Sequence, residues 1–493
     1  MPISNQAPSS DAAPPSSAGL PAIAHIVVLM LENRSFDHML GLLYADAGNV
    51  SPTGQPFEGL TGKESNPDAS GKPVSVFPIV ASTPNDYFMP GADPGEGFLA
   101  TNLQLFGTSS PAASASPTNQ GFVTNFASTL AWESKKKGWQ PRPGTVASDI
   151  MGIYTPAMLP VLSGLAKGYA VCDHWYSSVP TETMPNRAFA CAATSQGHMD
   201  DLTKTYTSPS IFGLLTRHSI DWKIHGYDTS PLTRLNFPDT TNAPANRFGL
   251  FKDFQSDAAA GTLAAFTFLE PSWGATGNSQ HPDYSLALGE KLIHDVYEAL
   301  RQGPGWNQTL LVVTYDEHGG CYDHVAPPAT ATPPDGSAGE FGFDFKRFGV
   351  RVPAVLVSPL IAPGTVFRAA PGATPFDHTA ILKTVEARWG LPSLTARDAA
   401  ASDLAAVLTL ATPRTDDPLA GVVVPNARMQ DPSTAPISHL EEIHAELAAR
   451  LPGPDDAAAA DRAMPLLETS AQAKAFIQAR IDAWERTRSA RGR

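Results

Sequence analysis

The chain has 493 residues, 42% hydrophobic and 17% charged, enough apolar material for one large core or two and too much for a disordered protein. A formal net charge of -14 argues against nucleic acid or an anionic membrane surface as the default partner, and an anionic substrate then needs a local cation. No apolar stretch is long enough to span a bilayer, residues 1–19 carry neither an apolar signal region nor a twin arginine, and Cys172, Cys191 and Cys321 allow one bridge at most.

Residues 1–20, rich in Pro, Ser and Ala, predict a flexible lead-in. The continuous apolar run Ile26 to Leu31 reads as a strand buried on both faces, and it stops at Glu32-Asn33-Arg34-Ser35-Phe36-Asp37. From Ser51 to Gly121 the density of Pro, Gly, Ser and Asn predicts long loops over the active face. Leu159 to Ala170 predicts a short helix leading into Val171-Cys172-Asp173-His174-Trp175. A proline-punctuated turn from Ser177 to Arg187 then opens onto a small-residue helix. It presents the Thr183 hydroxyl near a helix N-terminus, where backbone N–H groups favour an anion; the plainer reading of Thr183 is a helix cap.

Leu263 to Leu269 predicts a strand ending at Glu270-Pro271, and Leu288, Leu292, Val296 and Leu300 give helical spacing to Leu286–Leu300. A second buried strand, Leu310 to Tyr315, stops at Asp316-Glu317-His318-Gly319-Gly320. Val352 to Val357 is a further strand, and Asp377 is placed to cap a helix with Ile381, Val385 and Trp389 on its apolar face and Gly390 at its end. Ser438 and Glu441 form a capping box, and a last amphipathic helix carries Phe476, Ile477, Ile481 and Trp484. This alternation predicts an α/β fold, a mostly parallel central sheet flanked by helices, spanning residues 21–394, with a mainly helical extension over 395–493. The extension shows no active-site cluster, and His294, His439 and His444 are assigned to structure or surface.

In open α/β sheets ligands bind outside the carboxyl ends of the strands. Two such ends carry Glu32, Asn33, Asp316 and Glu317, four oxygen donors from distant segments and the type of set a hard divalent cation takes. Either cluster alone also reads as capping or loop residues. Adjacent carboxylates at 316 and 317, however, repel each other unless a cation or a burial cost offsets the repulsion.

Glu32 to Asp37, Thr183 to Arg187, His281-Pro282, and Tyr315 to Gly320 with Tyr322-Asp323-His324-Val325 follow one another in a single order. The series resembles the bacterial phosphoesterase family that holds nonspecific and phosphocholine-preferring phospholipases C and a related acid phosphatase, over residues 22–392. The resemblance implies an alkaline-phosphatase-like core and a metal-dependent phosphoric ester hydrolase acting on a phospholipid or small phosphoester. It further implies one divalent metal ion, calcium or a transition metal, on Glu32, Asn33, Asp316 and Glu317, with Thr183 as a nucleophile that becomes a phosphoryl-threonine. His281 is expected to contact the phosphate, which Asn33 also faces; His225 and His324 are expected to complete the substrate-binding shell, each with a structural alternative. The chain departs from the family pattern at Thr181-Glu182, where phospholipase-type members have Gly-Pro, and at Glu96, where many have a histidine; a protonated Glu96 or a neighbour then serves the leaving group. The competing readings are an acid phosphatase on soluble monoesters and a non-catalytic phosphate- or phospholipid-binding protein. The intact Glu32, Asn33, Thr183, Asp316 and Glu317 argue against the last. The sequence predicts a soluble protein with no visible export signal, although the resembled family is often secreted, and it does not give the oligomeric state.

Overall fold

A computed structural model describes residues 19–112, 114–135, 140–204, 206–274, 277–427, 431–452 and 464–491. All but the end of the lead-in expected over residues 1–20 lies outside the described residues. The apolar run after Ala24 forms strand β1, His25–Leu31, buried at every position but the first, as a strand covered on both faces must be. Seven further strands join it in one sheet: β2 Ala170–Val171, β3 Trp222–Gly226, β4 Phe248–Leu250, β5 Phe266–Leu269, β6 Thr309–Tyr315, β7 Ala354–Val357 and β8 Thr365–Val366. Their order is β8-β2-β7-β6-β1-β5-β3-β4. Only β7 runs against its neighbours, so the sheet is mostly parallel, as the alternation of strands and helices predicts.

β1 and β6 pair at the centre of the sheet, with Leu31 level with Tyr315. Helices cover the sheet; the longest of these, Leu286–Gln302, buries Leu292, Ile293, Val296 and Leu300. The helix expected after Asp377 runs Thr379–Trp389 and ends at Gly390. Asp377 caps it by accepting the Thr379 amide at 3.0 Å, and its other oxygen pairs with Arg397 at 2.8 Å. All three cysteines are buried free thiols, so the one possible bridge is not made. No helix among the described residues is long and apolar enough to cross a membrane.

The stretch from Ser51 to Gly121 is more ordered than its composition predicts. Ser65–Pro67 pairs with Pro73–Ser75, and Phe77–Ile79 pairs with Gly152–Tyr154. Phe98–Phe106 is a helix that buries Phe98, Thr101 and Leu105 and stops at Gly107. Those buried positions fall at helical spacing, a signal that the surrounding Pro, Gly and Ser obscure.

Past residue 394 the packing divides later than the composition does. Leu404, Val407, Leu408 and Leu419 belong to the main core. A separate cluster forms where helices His439–Ala449 and Ser470–Arg491 meet: Leu440, Ile443, Leu447, Ile477, Ile481 and Trp484 pack on Met184, Leu232, Leu235 and Trp273.

Candidate active site

Because Leu31 and Tyr315 are level, Glu32-Asn33 and Asp316-Glu317 leave the sheet side by side. The Asn33 amide donates to Asp316 Oδ1 at 3.0 Å and the Arg34 amide to the Glu317 carbonyl at 3.0 Å. Asn33 turns with φ 56°, in the left-handed region that asparagine tolerates better than most residues. Gly319 lies so close that a Cβ there would come within 2.1 Å of the Asn33 carbonyl oxygen, and its φ is 58°. Gly319→Ala is therefore expected to displace Asn33 and lower kcat/KM on the order of a hundredfold, the usual effect of about 1 Å of misplacement; steady-state kinetics beside a circular dichroism spectrum check it. Arg34, fully buried, donates to the carbonyls of Gln280 at 2.6 Å and His281 at 3.1 Å, holding that loop against β1.

Thr183 is the first residue of the helix Thr183–Ala192. Its hydroxyl donates to Asn33 Oδ1 at 3.1 Å, and Asn33 Nδ2 donates to Glu96 Oε2 at 2.5 Å. One turn along the same helix, Arg187 pairs with Asp316 Oδ2 at 2.9 Å and stands over the Trp273 ring at 4.7 Å. His281 Nδ1 lies 2.9 Å from the Pro282 carbonyl, which requires a proton on that nitrogen. Its Nε2 lies 3.8 Å from Asp93 Oδ1 and 4.0 Å from Glu96 Oε2.

Of the strand-end residues, Glu32 and Glu317 keep free oxygens that could hold a divalent cation. Glu32 Oε2 and Glu317 Oε1 are buried oxygens with no hydrogen-bond partner. Burial pushes the Glu32 carboxyl up to about 7 against the opposing pull of His281, and burial, then Asp316, pushes Glu317 well above the usual carboxylate range. Asp316 is already engaged on both oxygens, by the Asn33 and Glu317 amides and by Arg187. Among the described residues, Asp93, Glu96 and His281 form a group whose ligand atoms lie within 4.8 Å of one another, a closeness that Glu32, Asp316 and Glu317 do not reach.

Glu32, Thr183 and His281 open onto a pocket of about 530 Å³ whose walls also carry Asp93, Glu96, Glu182 and Asp201. Burial, reinforced by Asp201, pushes Glu182 up to about 8, and its Oε2 accepts the Asp201 amide at 2.5 Å. Burial, reinforced by Asp93, raises Glu96 well above its ordinary value. A more open groove of about 630 Å³ along the last helix, lined by Asp482, Glu485 and Arg486, contains none of these groups.

The phosphoesterase family model matches residues 23–392. The chain belongs to the phosphoesterase family. Among similar proteins, non-specific phospholipase C6 of Arabidopsis thaliana is 38% identical over 452 residues, which cover 87% of this chain and 81% of that one. Phospholipase C A of Mycobacterium tuberculosis is 28% identical, covering 81% and 79%. A solved alkaline phosphatase superfamily protein from Vibrio parahaemolyticus matches with TM-score 0.30 and 14% identity, over 50% of this chain and 63% of that one.

Two histidines expected at the substrate lie elsewhere in this phosphoesterase. His225 is 2% exposed; its Nδ1 is 3.2 Å from the Leu250 carbonyl and its ring lies against Phe254. It fills the core beside β4 and does not line the pocket. His324 is bound to Asp37 at 2.6 Å, in a cluster neutralised by Arg351. Arg351, fully buried, pairs with Asp37 at 2.9 Å and Asp323 at 3.0 Å and donates to the carbonyls of Glu58 and Asp173. Asp37, Asp323 and His324 have ligand atoms close enough to hold a metal, but the guanidinium already fills that role. Arg351→Met is expected to destabilise the phosphoesterase by about 3–5 kcal/mol, because it leaves two buried carboxylates facing each other; denaturant unfolding measures it.

Asp93 and Asp201, to which the sequence assigns no role, line the pocket, and so does His439, which the sequence assigns to structure or surface but which the packing of Leu440 and Ile443 on Met184 brings there. Arg187 ends the Thr183 to Arg187 motif, and its spacing of four from Thr183 puts both on neighbouring positions of one helix face.

Proposed function

We propose that this phosphoesterase is a metal-dependent phosphoric ester hydrolase of phospholipase C type, acting through a phosphoryl-threonine. The observation that carries this reading is the hydrogen bond from Thr183 to Asn33, beside the unpartnered oxygens of Glu32 and Glu317. A divalent cation, calcium or a transition metal, on Glu32, Asn33, Asp316 and Glu317 supplies the positive charge that an anionic phosphoester requires.

Thr183 Oγ1 attacks phosphorus from the first position of a ten-residue helix, where backbone N–H groups favour the anion. The alcohol leaves, and water then releases the phosphoryl group from the threonine. His281, held through Nδ1 by the Pro282 carbonyl, offers Nε2 to the phosphate. Asn33 orients the hydroxyl and Glu96 binds the substrate from the same wall. The phospholipase names of the relatives and the pocket volume support a phospholipid or another phosphodiester over a small monoester.

The test is hydrolysis of p-nitrophenyl phosphorylcholine beside p-nitrophenyl phosphate, each with and without chelator. Faster turnover of the diester, abolished by chelator, is expected. Preference for the monoester makes the protein an acid phosphatase, and no turnover of either makes it a binding protein.

A further inference from the structure

We propose that His439, carried into the active-site pocket by the C-terminal helices, is a substrate-contacting residue that binds the phosphate group of the ester. This rests on the phosphoesterase reading above and adds a residue to it from outside the stretch matched by the family model, which ends at residue 392.

The pocket that holds Thr183 and His281 has one wall made of Pro436 to Leu440. Its other walls are crowded with carboxylates, and among the described lining residues no lysine or arginine faces them. Only His281 and His439 line the pocket with side chains able to take up a proton and carry positive charge. An anionic phosphate entering between Glu32, Asp93 and Glu182 is repelled unless cations meet it. His439 shares this pocket with Asp93 and Glu182, one from the segment before the helix Phe98–Phe106 and one from the turn before Thr183.

The position of His439 is built in. It opens the helix His439–Ala449, whose cap is closed by Ser438 Oγ accepting the Glu441 amide at 3.2 Å and Glu441 Oε2 accepting the Ser438 amide at 3.0 Å. Glu441 Oε1 also accepts from Ser470 at 2.5 Å, and Lys474 pairs with Asp228 at 2.8 Å, so the second C-terminal helix ties the first to the body. Leu440 and Ile443 share a buried cluster with Met184, the residue after the Thr183 hydroxyl. Against that fixed backbone the His439 side chain is exposed, which leaves it able to reach a ligand at little cost to the fold.

The experiment is a ³¹P NMR titration of the metal-loaded full chain with inorganic phosphate, beside KM and kcat for p-nitrophenyl phosphate. His439→Ala is expected to weaken phosphate binding about tenfold or more, the usual worth of a hydrogen bond to a charged group, and to raise KM in step. Metal content and Tm should stay unchanged, and His439→Arg, which restores a hydrogen-bond donor, should recover part of the binding. If the wild-type chain binds phosphate and His439→Ala binds it within about twofold, the proposal is overturned while the phosphoesterase reading stands. A loss of binding accompanied by lost metal or a lowered Tm also overturns it, since the effect is then structural. If the wild-type chain neither binds phosphate nor turns over ester, the phosphoesterase reading fails first and the proposal with it.

Discussion

Thr183→Ala is expected to lower turnover of a phosphoester on the order of a thousandfold or more, because removing a covalent nucleophile leaves only slow attack by water. The hydroxyl makes one bond, to Asn33, so the variant should fold, lose about 1 kcal/mol of stability at most, and keep its metal. Thr183→Ser preserves the oxygen and should keep part of the activity. Thr181→Ala is the internal control: Thr181 is buried but donates to the Met199 carbonyl at 2.7 Å, away from Asn33, so its loss should cost stability and spare turnover. Intact-protein mass spectrometry of quenched reactions should find a phosphoryl adduct on the wild type and none on Thr183→Ala. Near wild-type turnover by Thr183→Ala with no adduct makes direct attack by water the correct mechanism, and an adduct on another residue makes that residue the nucleophile.

Glu317→Gln and Glu32→Gln should each lose bound metal, read by elemental analysis, with affinity falling by more than the 10- to 100-fold typical of outer-shell changes. Activity should fall in parallel. These positions are cleaner than Asp316, whose removal would also strand Arg187. The metal-free variants should melt above the metal-free wild type, since each substitution removes a carboxyl whose ionisation burial disfavours, the familiar opposition between function and stability. Glu290→Gln is the contrast: Glu290 is buried but accepts the Val161 and Leu162 amides at the start of the helix Pro160–Gly168, and its substitution should leave metal content alone. Retention of one equivalent of metal by either site variant removes that residue from the ligand set.

The sheet was legible wherever apolar runs were continuous, as in β1 and β6, because a strand covered on both faces needs every position apolar. The carboxylate cluster was legible because both runs end in acids. Identity alone does not say which way a ring points, so the sequence does not show that His225 and His324 stand off the pocket wall. Alternation along β3 carried the missing hint: His225 shares its face with Lys223, which pairs with Asp257 of the helix Phe251–Ala260 at 2.6 Å. For His324, expected in the substrate-binding shell, the sequence does not show that Arg351, 27 residues later, donates to its Asp37 partner. His439 had no local signal at all. Its place in the pocket comes from packing between segments far apart in the chain, which neither periodicity nor motif records.

Synthesis from the amino end fixes the order in which this site is completed. β1 waits for β6, whose paired residues His25 and Thr309 lie 284 positions apart (309 − 25). Glu32 and Asn33 therefore leave the ribosome long before Asp316 and Glu317 can join them, and contacts of such long range are slow to close. Met184 gains its packing partners later still, when Leu440 and Ile443 and then Ile477 and Trp484 emerge. A nascent chain thus carries its hydroxyl and its acids as separate, harmless pieces for most of translation. The pocket is complete only when nearly the whole polypeptide is in hand, so a half-made chain cannot assemble the site.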